Sequence, residues 1–199
     1  MDNVNSDNNA TEKEDVAARV RMELYDWLQC IVTAIICGVL IFIFIGRTIG
    51  VVGSSMLQTL QHRDRVIISN LFYTPNNGDV VVFIAPSERF EHPLVKRVIA
   101  TEGQTIYIDS ESGEVFVNDV LVNEPYINTT TAGHNFDEPM MIPRGYVFVM
   151  GDNRNSSTDS RDSSVGFVDT RYILGKVMFV LIPGADDNGQ RDWNRVGPV

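Results

Sequence analysis

The sequence is poor in cysteine, histidine and lysine, and each shortage limits the chemistry that the chain can perform. Its two cysteines, Cys30 and Cys37, both lie in one apolar run, so the rest of the 199 residues can form neither a disulfide framework nor a thiolate metal site. The three histidines, His62, His92 and His134, have no His or Cys at metal-ligand spacing, which argues against a zinc hydrolase. We expect no metal site and no cofactor, and we interpret the histidines as solvated loop residues. A Ser-His-Asp triad, which is spatial, stays open in principle.

Basic residues are scarce as well. The chain has 16 Lys and Arg against 26 Asp and Glu, with a net charge of -10 and a pI near 4.7. A nucleic-acid partner would need a basic face, so this class of binding protein is excluded. Part of the acidity is local, because residues 1–15 hold five acidic side chains and one lysine. Residues 1–24 contain few large apolar side chains, and we predict that they form a disordered acidic tail.

One long apolar run predicts a membrane anchor over residues 25–46. Residues 27–45 carry no charge, and 19 residues of helix span roughly 28 Å, close to a hydrocarbon core of about 30 Å. The run is longer than the apolar region of a cleaved secretory signal, and no small-residue cleavage site follows it, which favours a retained anchor. A buried core helix is the alternative. Arg19 and Arg21 before the run favour a cytoplasmic N-terminus.

Short β-branched runs broken by turn residues fill residues 47–185. Turn signals recur every 8–12 residues, and no long segment has helical periodicity. This pattern predicts an all-β domain of antiparallel sheets, in a compact barrel-like arrangement that protects the strand edges. Residues 186–199 are polar and glycine-rich, and we predict a loosely ordered C-terminal tail.

Lys96 stands out among the three lysines because it lies in the apolar run "PLVKRVIA". In strict alternation Lys96 and Arg97 face opposite ways, and Lys96 shares its face with Leu94 and Val98. Burial would lower the pKa of such a lysine and make it a general base. The alternative is an edge-strand lysine whose amine reaches solvent. The isolated strand leaves both interpretations open.

Two polar stretches beside apolar segments are further candidates for chemistry. "VVGSSMLQTL", residues 51–60, follows the anchor closely and fits either a surface turn or a nucleophile. "GDNRNSSTDSRD", residues 151–162, follows the apolar strand "YVFVM". Such a run is usually a hydrogen-bonded loop, but its hydroxyls and charges could also fix a nearby lysine.

Together these stretches resemble the type I signal peptidases, membrane-anchored Ser/Lys proteases that remove signal peptides. Residues 53–60 resemble the motif G-x-S-M-x-P-T-L, "LVKRVIA" resembles the lysine motif, and residues 151–161 match G-D-N-R-x-x-S-x-D-S-R in full. The resemblance covers residues 47–183 and the anchor. It is closest to the minimal form of Gram-positive bacteria, because a large insertion found in some relatives is missing.

The resemblance implies a role for each motif residue. Ser55, directly before the methionine, would be the nucleophile and Lys96 the general base, while Ser54 falls at a variable position. The Ser55 N–H would meet the oxyanion, and Gly53 cannot supply the side-chain hydroxyl that some relatives add. Ser157 would hydrogen-bond the lysine amine, Asp159 and Arg161 would form an ion pair, and the remaining two residues would brace the same loop: Asp152 and Arg154.

The resemblance also implies the substrate, the partners and the location. Preproteins carrying signal peptides would bind as an added β-strand and be cut after small, Ala-x-Ala-like residues. The lipid bilayer is the other partner, with one span in the cell membrane and an extracytoplasmic catalytic domain. The candidate pocket walls, each of which fits plain core packing equally well, are Ile49, Val51, Val52, Met56, Leu60, Leu94 and Val95.

Three departures from the family pattern leave other functions open. Gln58 replaces the motif proline, Arg63 stands where a turn glycine is usual, and "VIATEGQ" replaces the common stretch after the lysine. An alternative is a specialised relative that processes a narrow substrate, such as a pilin or a conjugation protein. Another is a non-catalytic, membrane-tethered β-domain.

Overall fold

The computed structural model describes residues 4–45, 47–87, 89–132, 138–186 and 188–199. These residues fall into two units, one ending at Phe44 and one running from Ile45 to Val199. The loop interpretation of His134 lies outside the described residues.

The first unit is a single helix, α1, over Val4–Ile45. Within it, Arg19–Leu40 is long and apolar enough to cross a membrane, and no part of that window is buried. A core helix would be mostly buried, so this finding favours the membrane span over the buried-helix alternative. Cys30 and Cys37 are free and exposed in this helix.

The acidic segment before the apolar run is helical, since α1 already begins at Val4. Residues such as Ala10, Glu12 and Ala17 are strong helix formers. The disorder expected for residues 1–24 stays a prediction.

The second unit consists of twelve described strands in two sheets, and every strand pair is antiparallel. The larger sheet has the order β1-β2-β11-β3-β4-β9-β10, with β12 also paired to β11, and the smaller has the order β7-β6-β5-β8. The predicted all-β fold class is confirmed. The strands are β1 (Arg47–Gly50), β2 (Arg65–Ser69), β3 (Val80–Phe83), β4 (Leu94–Thr101), β5 (Thr105–Ile108), β6 (Val115–Val117), β7 (Val120–Leu121), β8 (Met140–Met141), β9 (Tyr146–Met150), β10 (Val168–Asp169), β11 (Ile173–Ile182) and β12 (Gly197–Pro198).

Strand β4 lies at the centre of the larger sheet. It is bonded to β3 on one side and to β9 on the other. All four residues of β3 are buried, as are six of the eight in β4 and four of the five in β9. Strand β3 pairs with Leu94–Arg97 and β9 pairs with Arg97–Thr101, so Lys96 lies on the half of β4 that β3 flanks.

The C-terminal segment is docked on the larger sheet, which differs from the loosely ordered tail predicted for residues 186–199. Strand β12 pairs with β11, and Ala185 forms a β-bridge with Arg191. Arg195 forms an ion pair with the fully buried Asp64. The segment is polar and glycine-rich, but its Arg195 binds the buried Asp64, which lies 131 positions earlier in the chain.

Candidate active site

Residues 51–64 form a closed loop, here named the Ser55 loop, that joins β1 to β2. Its ends are joined by hydrogen bonds from the Val51 N–H to the Asp64 carbonyl and from the Arg63 N–H to the Val51 carbonyl, both 2.8 Å long. Within the loop Met56 and Leu60 are buried in the core. The buried side chains of Met56 and Leu60 and the hydrogen bonds between the two ends of the loop therefore fix the loop on the domain.

The two serines of the loop differ in their surroundings. Ser54 is exposed, whereas Ser55 is half-buried. The Ser55 carbonyl accepts a hydrogen bond of 3.0 Å from the Asn153 N–H, and Asn153 Nδ2 donates to the Ser54 carbonyl at 3.1 Å. Asn153 therefore ties the backbone of the serine pair to the loop after β9.

The structure brings Lys96 to Ser55 across 41 residues of sequence. Lys96 Nζ lies 2.7 Å from Ser55 Oγ and 3.1 Å from the Val95 carbonyl oxygen. Only 3% of Lys96 is exposed, and its strand is internal. The alternative of an edge-strand lysine with a solvated amine is therefore wrong.

Burial is the main reason why the pKa of Lys96 falls to about 8 from an ordinary value of 10.5. The nearby charges act in both directions, since Asp159 and Asp152 raise this pKa and Arg161 lowers it. At pH 7 a pKa of about 8 leaves roughly a tenth of the lysine amines neutral, against fewer than about one in a thousand for an ordinary lysine. A neutral amine at hydrogen-bonding distance from a hydroxyl can accept its proton.

Residues 151–161, the loop after β9, hold the charged groups around Lys96. Asp159 binds Arg161 through two hydrogen bonds of 2.7 and 2.8 Å, which is the predicted ion pair, and also accepts the Gly151 N–H at 2.9 Å. Burial alone would raise the pKa of the Asp159 carboxyl, but the Arg161 and Gly151 hydrogen bonds hold it below its usual value. Asp159 is therefore a fixed negative charge near the lysine.

Ser157 does not form the expected hydrogen bond to Lys96. Its Oγ is enclosed and lies near the Asp159 carboxylate, whose pKa it helps to lower, although no hydrogen bond of ordinary geometry to Ser157 Oγ is found among the described residues. The lysine amine meets Ser55 Oγ and the Val95 carbonyl instead. Ser157 nevertheless packs close to the site. A Cβ atom on Gly151 would lie 2.5 Å from Ser157 Cβ and 2.6 Å from the Ser55 carbonyl oxygen, so only glycine fits there.

Asp152 and Arg154 were expected to brace the 151–161 loop, and each does so through a residue from elsewhere in the chain. Asp152 accepts two hydrogen bonds from Arg97, of 2.8 and 2.6 Å, and one from the Thr59 hydroxyl. Arg154 is buried and donates to both carboxylate oxygens of Glu124. Thr59 belongs to the first motif and Arg97 to the lysine motif, so both could have been suspected, but the sequence contains no signal for Glu124.

The candidate pocket residues divide by burial. One apolar cluster buries four of them, Ile49 packs against the same cluster, and Leu94 packs against a second. Val52 is 71% exposed. Core packing thus accounts for most of the set, and substrate contact stays a prediction for all of them. The four buried residues are Val51, Met56, Leu60 and Val95.

The described histidines lie in loops, as expected. His62 is exposed, and its Nδ1 accepts the Gly53 N–H at 3.2 Å, which closes the Ser55 loop further. His92 is also exposed. Among the described residues, no group of three or more His, Cys, Asp or Glu could hold a metal ion. The side chain that hydrogen-bonds with Ser55 Oγ is that of Lys96 and not that of His62 or His92.

A sequence profile described as "Signal peptidase, peptidase S26" matches residues 24–182, which contain the helix end, the Ser55 loop, β4 and the 151–161 loop. The chain belongs to this family. A signal peptidase I of Bacillus licheniformis is 30% identical over 85% of this chain and 95% of its own length. Signal peptidase I S of Bacillus subtilis (strain 168) is 32% identical over 82% of this chain and 91% of its own length.

Other similar proteins are longer or align less fully. Thylakoidal processing peptidase 1, chloroplastic, of Arabidopsis thaliana is 35% identical over 65% of this chain, which spans only 40% of that protein. A crystal structure of a signal peptidase I from Enterococcus faecalis V583 aligns with 53% of this chain and 97% of its own, at 27% identity and a TM-score of 0.41.

Two departures from the signal peptidase pattern lie in the Ser55 loop and have unusual backbone angles. Gln58, at the position of the motif proline, has a φ of 84°, and Arg63, at the position of a turn glycine, has a φ of 68°. Proline cannot adopt the first angle, because its ring fixes φ near -65°. At Gln58 the loop therefore follows a path that proline would forbid.

Proposed function

We propose that the chain is a membrane-bound serine endopeptidase that cleaves signal peptides from exported preproteins. Ser55 is the nucleophile and Lys96 the general base. The observation that carries the proposal is the 2.7 Å distance between Lys96 Nζ and Ser55 Oγ, combined with the burial that lowers the lysine pKa to about 8. A nucleophile beside a base of lowered pKa is the arrangement that acyl transfer requires.

The reaction begins when neutral Lys96 accepts the Ser55 proton and Ser55 Oγ attacks the scissile carbonyl. The resulting oxyanion is met by the Ser55 N–H, which donates to no acceptor within the described part of the chain. Protonated Lys96 then gives its proton to the leaving amine, and an ester between Ser55 and the signal peptide remains. The neutral lysine next activates a water molecule, which hydrolyses this ester and restores the free hydroxyl.

The substrate is an extended preprotein segment that binds as an added β-strand. Small residues at the first and third positions before the cut fit the Ala-x-Ala preference expected from the family resemblance. The exposed Val52 and the half-buried Ile49 and Leu94 are the candidate walls with surface available to a substrate. Val51, Met56, Leu60 and Val95 would shape the pocket from behind.

The membrane arrangement follows from α1 and from the charges before its apolar part. The enzyme is held in the cell membrane by a single span within Arg19–Leu40, where it meets the lipid bilayer. Arg19 and Arg21, before the apolar run, support an N-terminus in the cytoplasm and a catalytic domain on the opposite side.

The test is cleavage of a preprotein with an Ala-x-Ala site by the full chain in detergent or in liposomes. We expect the wild type to release the signal peptide, and Ser55→Ala and Lys96→Ala to be inactive. Ser54→Ala is the matched control and should retain activity, because Ser54 is exposed and its hydroxyl has no described role.

Three outcomes would contradict the proposal. Full activity in Ser55→Ala or Lys96→Ala would exclude the dyad. Cleavage of a pilin or conjugation protein and of no general preprotein would favour the specialised relative. Failure to cleave any of these substrates would favour a non-catalytic, membrane-tethered domain.

A further inference from the structure

Asp64, at the end of the Ser55 loop, is bound by a segment from the far end of the chain. Its carboxylate is fully buried and accepts two hydrogen bonds from the Arg195 guanidinium, of 2.9 and 2.7 Å. It also accepts the N–H groups of Gln61 and Gly184, each at 2.7 Å. Burial alone would raise the pKa of this carboxyl, but the hydrogen bonds, led by that from Arg195, hold it below its usual value. Asp64 is therefore a charged group that needs its partner, because a buried carboxylate without one is costly.

The same guanidinium reaches back toward the nucleophile. Arg195 Nη2 also lies 3.4 Å from the carbonyl oxygen of Thr59, four residues after Ser55. The Thr59 hydroxyl donates to Asp152 at 2.5 Å and accepts from Arg97 Nη2 at 3.2 Å. The Thr59 carbonyl is thus bound by Arg195. The Thr59 hydroxyl is bound by Arg97, which follows Lys96 in the chain, and by Asp152 of the 151–161 loop.

The segment that carries Arg195 is itself fixed in place. Residues 184–186 and 188–198, here named the C-terminal clamp, pair with β11 through Gly197 opposite Val180. The Asp192 side chain accepts the Asn194 N–H and caps the turn over Trp193–Arg195. At the other end of the clamp, a Cβ on Gly184 would lie 3.1 Å from the His62 carbonyl carbon, so the backbones are in close contact.

We propose that the C-terminal clamp sets the position of Ser55 relative to Lys96, and that Arg195 is the positioning residue through which it acts. Arg195 does not touch the reacting atoms. It fixes Asp64 and Thr59, which flank the second half of the Ser55 loop, whereas Met56 and the Asn153 hydrogen bond fix the first half. Displacing a nucleophile by about 1 Å can cost on the order of 100-fold in rate. This inference rests on the proposed Ser55/Lys96 function.

The test compares Arg195→Met and Arg195→Lys in the full chain, with Arg171→Met as the matched control. Arg171 also pairs with an aspartate through several hydrogen bonds, but 83% of its side chain is exposed. We expect Arg195→Met to lower kcat about tenfold or more with KM changed less than about twofold, because ground-state substrate binding does not need the aligned hydroxyl. Arg195→Lys should recover part of kcat, and the control should match the wild type.

A second readout separates this inference from the proposed function and from simple unfolding. Amide hydrogen exchange in residues 52–62 should rise in Arg195→Met below its melting temperature, whether or not any substrate is cleaved. If the wild type cleaves nothing but exchange still rises in this loop, the function fails and the clamp stands. Wild-type kcat in Arg195→Met, an equal loss in Arg171→Met, or unchanged exchange would each overturn the clamp.

Discussion

Arg97 and Asp152 form a two-point ion pair that ties the lysine strand to the loop after β9. Arg97 Nε lies 2.8 Å from Asp152 Oδ1 and Nη2 lies 2.6 Å from Oδ2, while the guanidinium carbon lies 3.9 Å from the centre of the Tyr126 ring. Arg97 follows Lys96 directly in β4. The pair therefore fixes the backbone of the general base against the loop that carries Asp159.

We expect Arg97→Lys to lower both kcat and stability. Lysine keeps the charge but cannot make the two parallel hydrogen bonds or stack on the Tyr126 ring, and the loss should be about 2 kcal/mol. Thermal melts and preprotein cleavage at saturating substrate measure the two effects. Arg171→Lys, in an exposed pair, should leave the melting temperature unchanged. Equal melting temperatures for Arg97→Lys and the wild type would refute the structural role of the pair.

Activity should rise with pH through about 8. Lys96 accepts a proton only when neutral, and its pKa of about 8 means that the neutral fraction grows until roughly pH 9 and then saturates. The measurement is kcat/KM for preprotein cleavage between pH 6 and 10. A flat profile would count against a lysine base, and a rise centred near 10.5 would show that burial does not act on this amine.

Lys96→Met should be inactive but more stable than the wild type at neutral pH. The pKa of Lys96 is lower in the folded state than its ordinary 10.5, so the folded protein binds this proton less well than the unfolded chain does. The resulting penalty, on the order of 3 kcal/mol, is fully present below pH 8 and disappears as the pH rises from 8 to 10.5.

The measurement for this substitution is the free energy of unfolding in denaturant at pH 7 and at pH 10. The stabilisation in Lys96→Met should be large at pH 7 and small at pH 10. Lys176→Met is the control, because Lys176 is a partly exposed partner of Asp79 and its loss should not stabilise the protein. A gain that is the same at both pH values would contradict the explanation by charge burial.

Gln58→Gly should stabilise the protein and Gln58→Pro should destabilise it. The φ of 84° costs a non-glycine residue about 1 kcal/mol, which glycine avoids, whereas proline would force the turn into another path. Gln61→Gly, an exposed glutamine in the same loop without a positive φ, should be slightly destabilising. A more stable and more active Gln58→Pro would show that the loop can follow the proline path of its relatives.

The sequence was sufficient to predict the all-β fold class, an apolar helix and the residues that meet at the site. Short β-branched runs with regular turns determine the antiparallel strands locally. The apolar run around Lys96 draws attention to that lysine, and the family resemblance implies Ser55 as its partner. One such turn joins β6 to β7, where Asn118 and Asp119 have φ values of 51° and 63°, as a tight two-residue turn requires.

What the sequence did not reveal depends on tertiary contacts. Alternation along β4 identifies Lys96 as facing the apolar side, but it cannot show that Arg97 is also buried by meeting Asp152. Glu124 lies in a polar loop, and only the folded chain places it against Arg154. The C-terminal clamp has the composition of a loose tail, and this composition gives no sign of its order. The order comes from contacts with Asp64 and with β11, which are distant in sequence.

A sequence that keeps the serine and the lysine does not thereby encode an active enzyme, because the site also requires glycine at position 151. The Ser55 carbonyl and the Ser157 side chain occupy the space that any larger residue at 151 would need. A substitution of alanine for Gly151, which one nucleotide change can cause, would therefore push the Ser55 backbone away from Lys96 while leaving both catalytic residues unchanged. A genome survey that checks only for the serine and the lysine would count such a gene as functional.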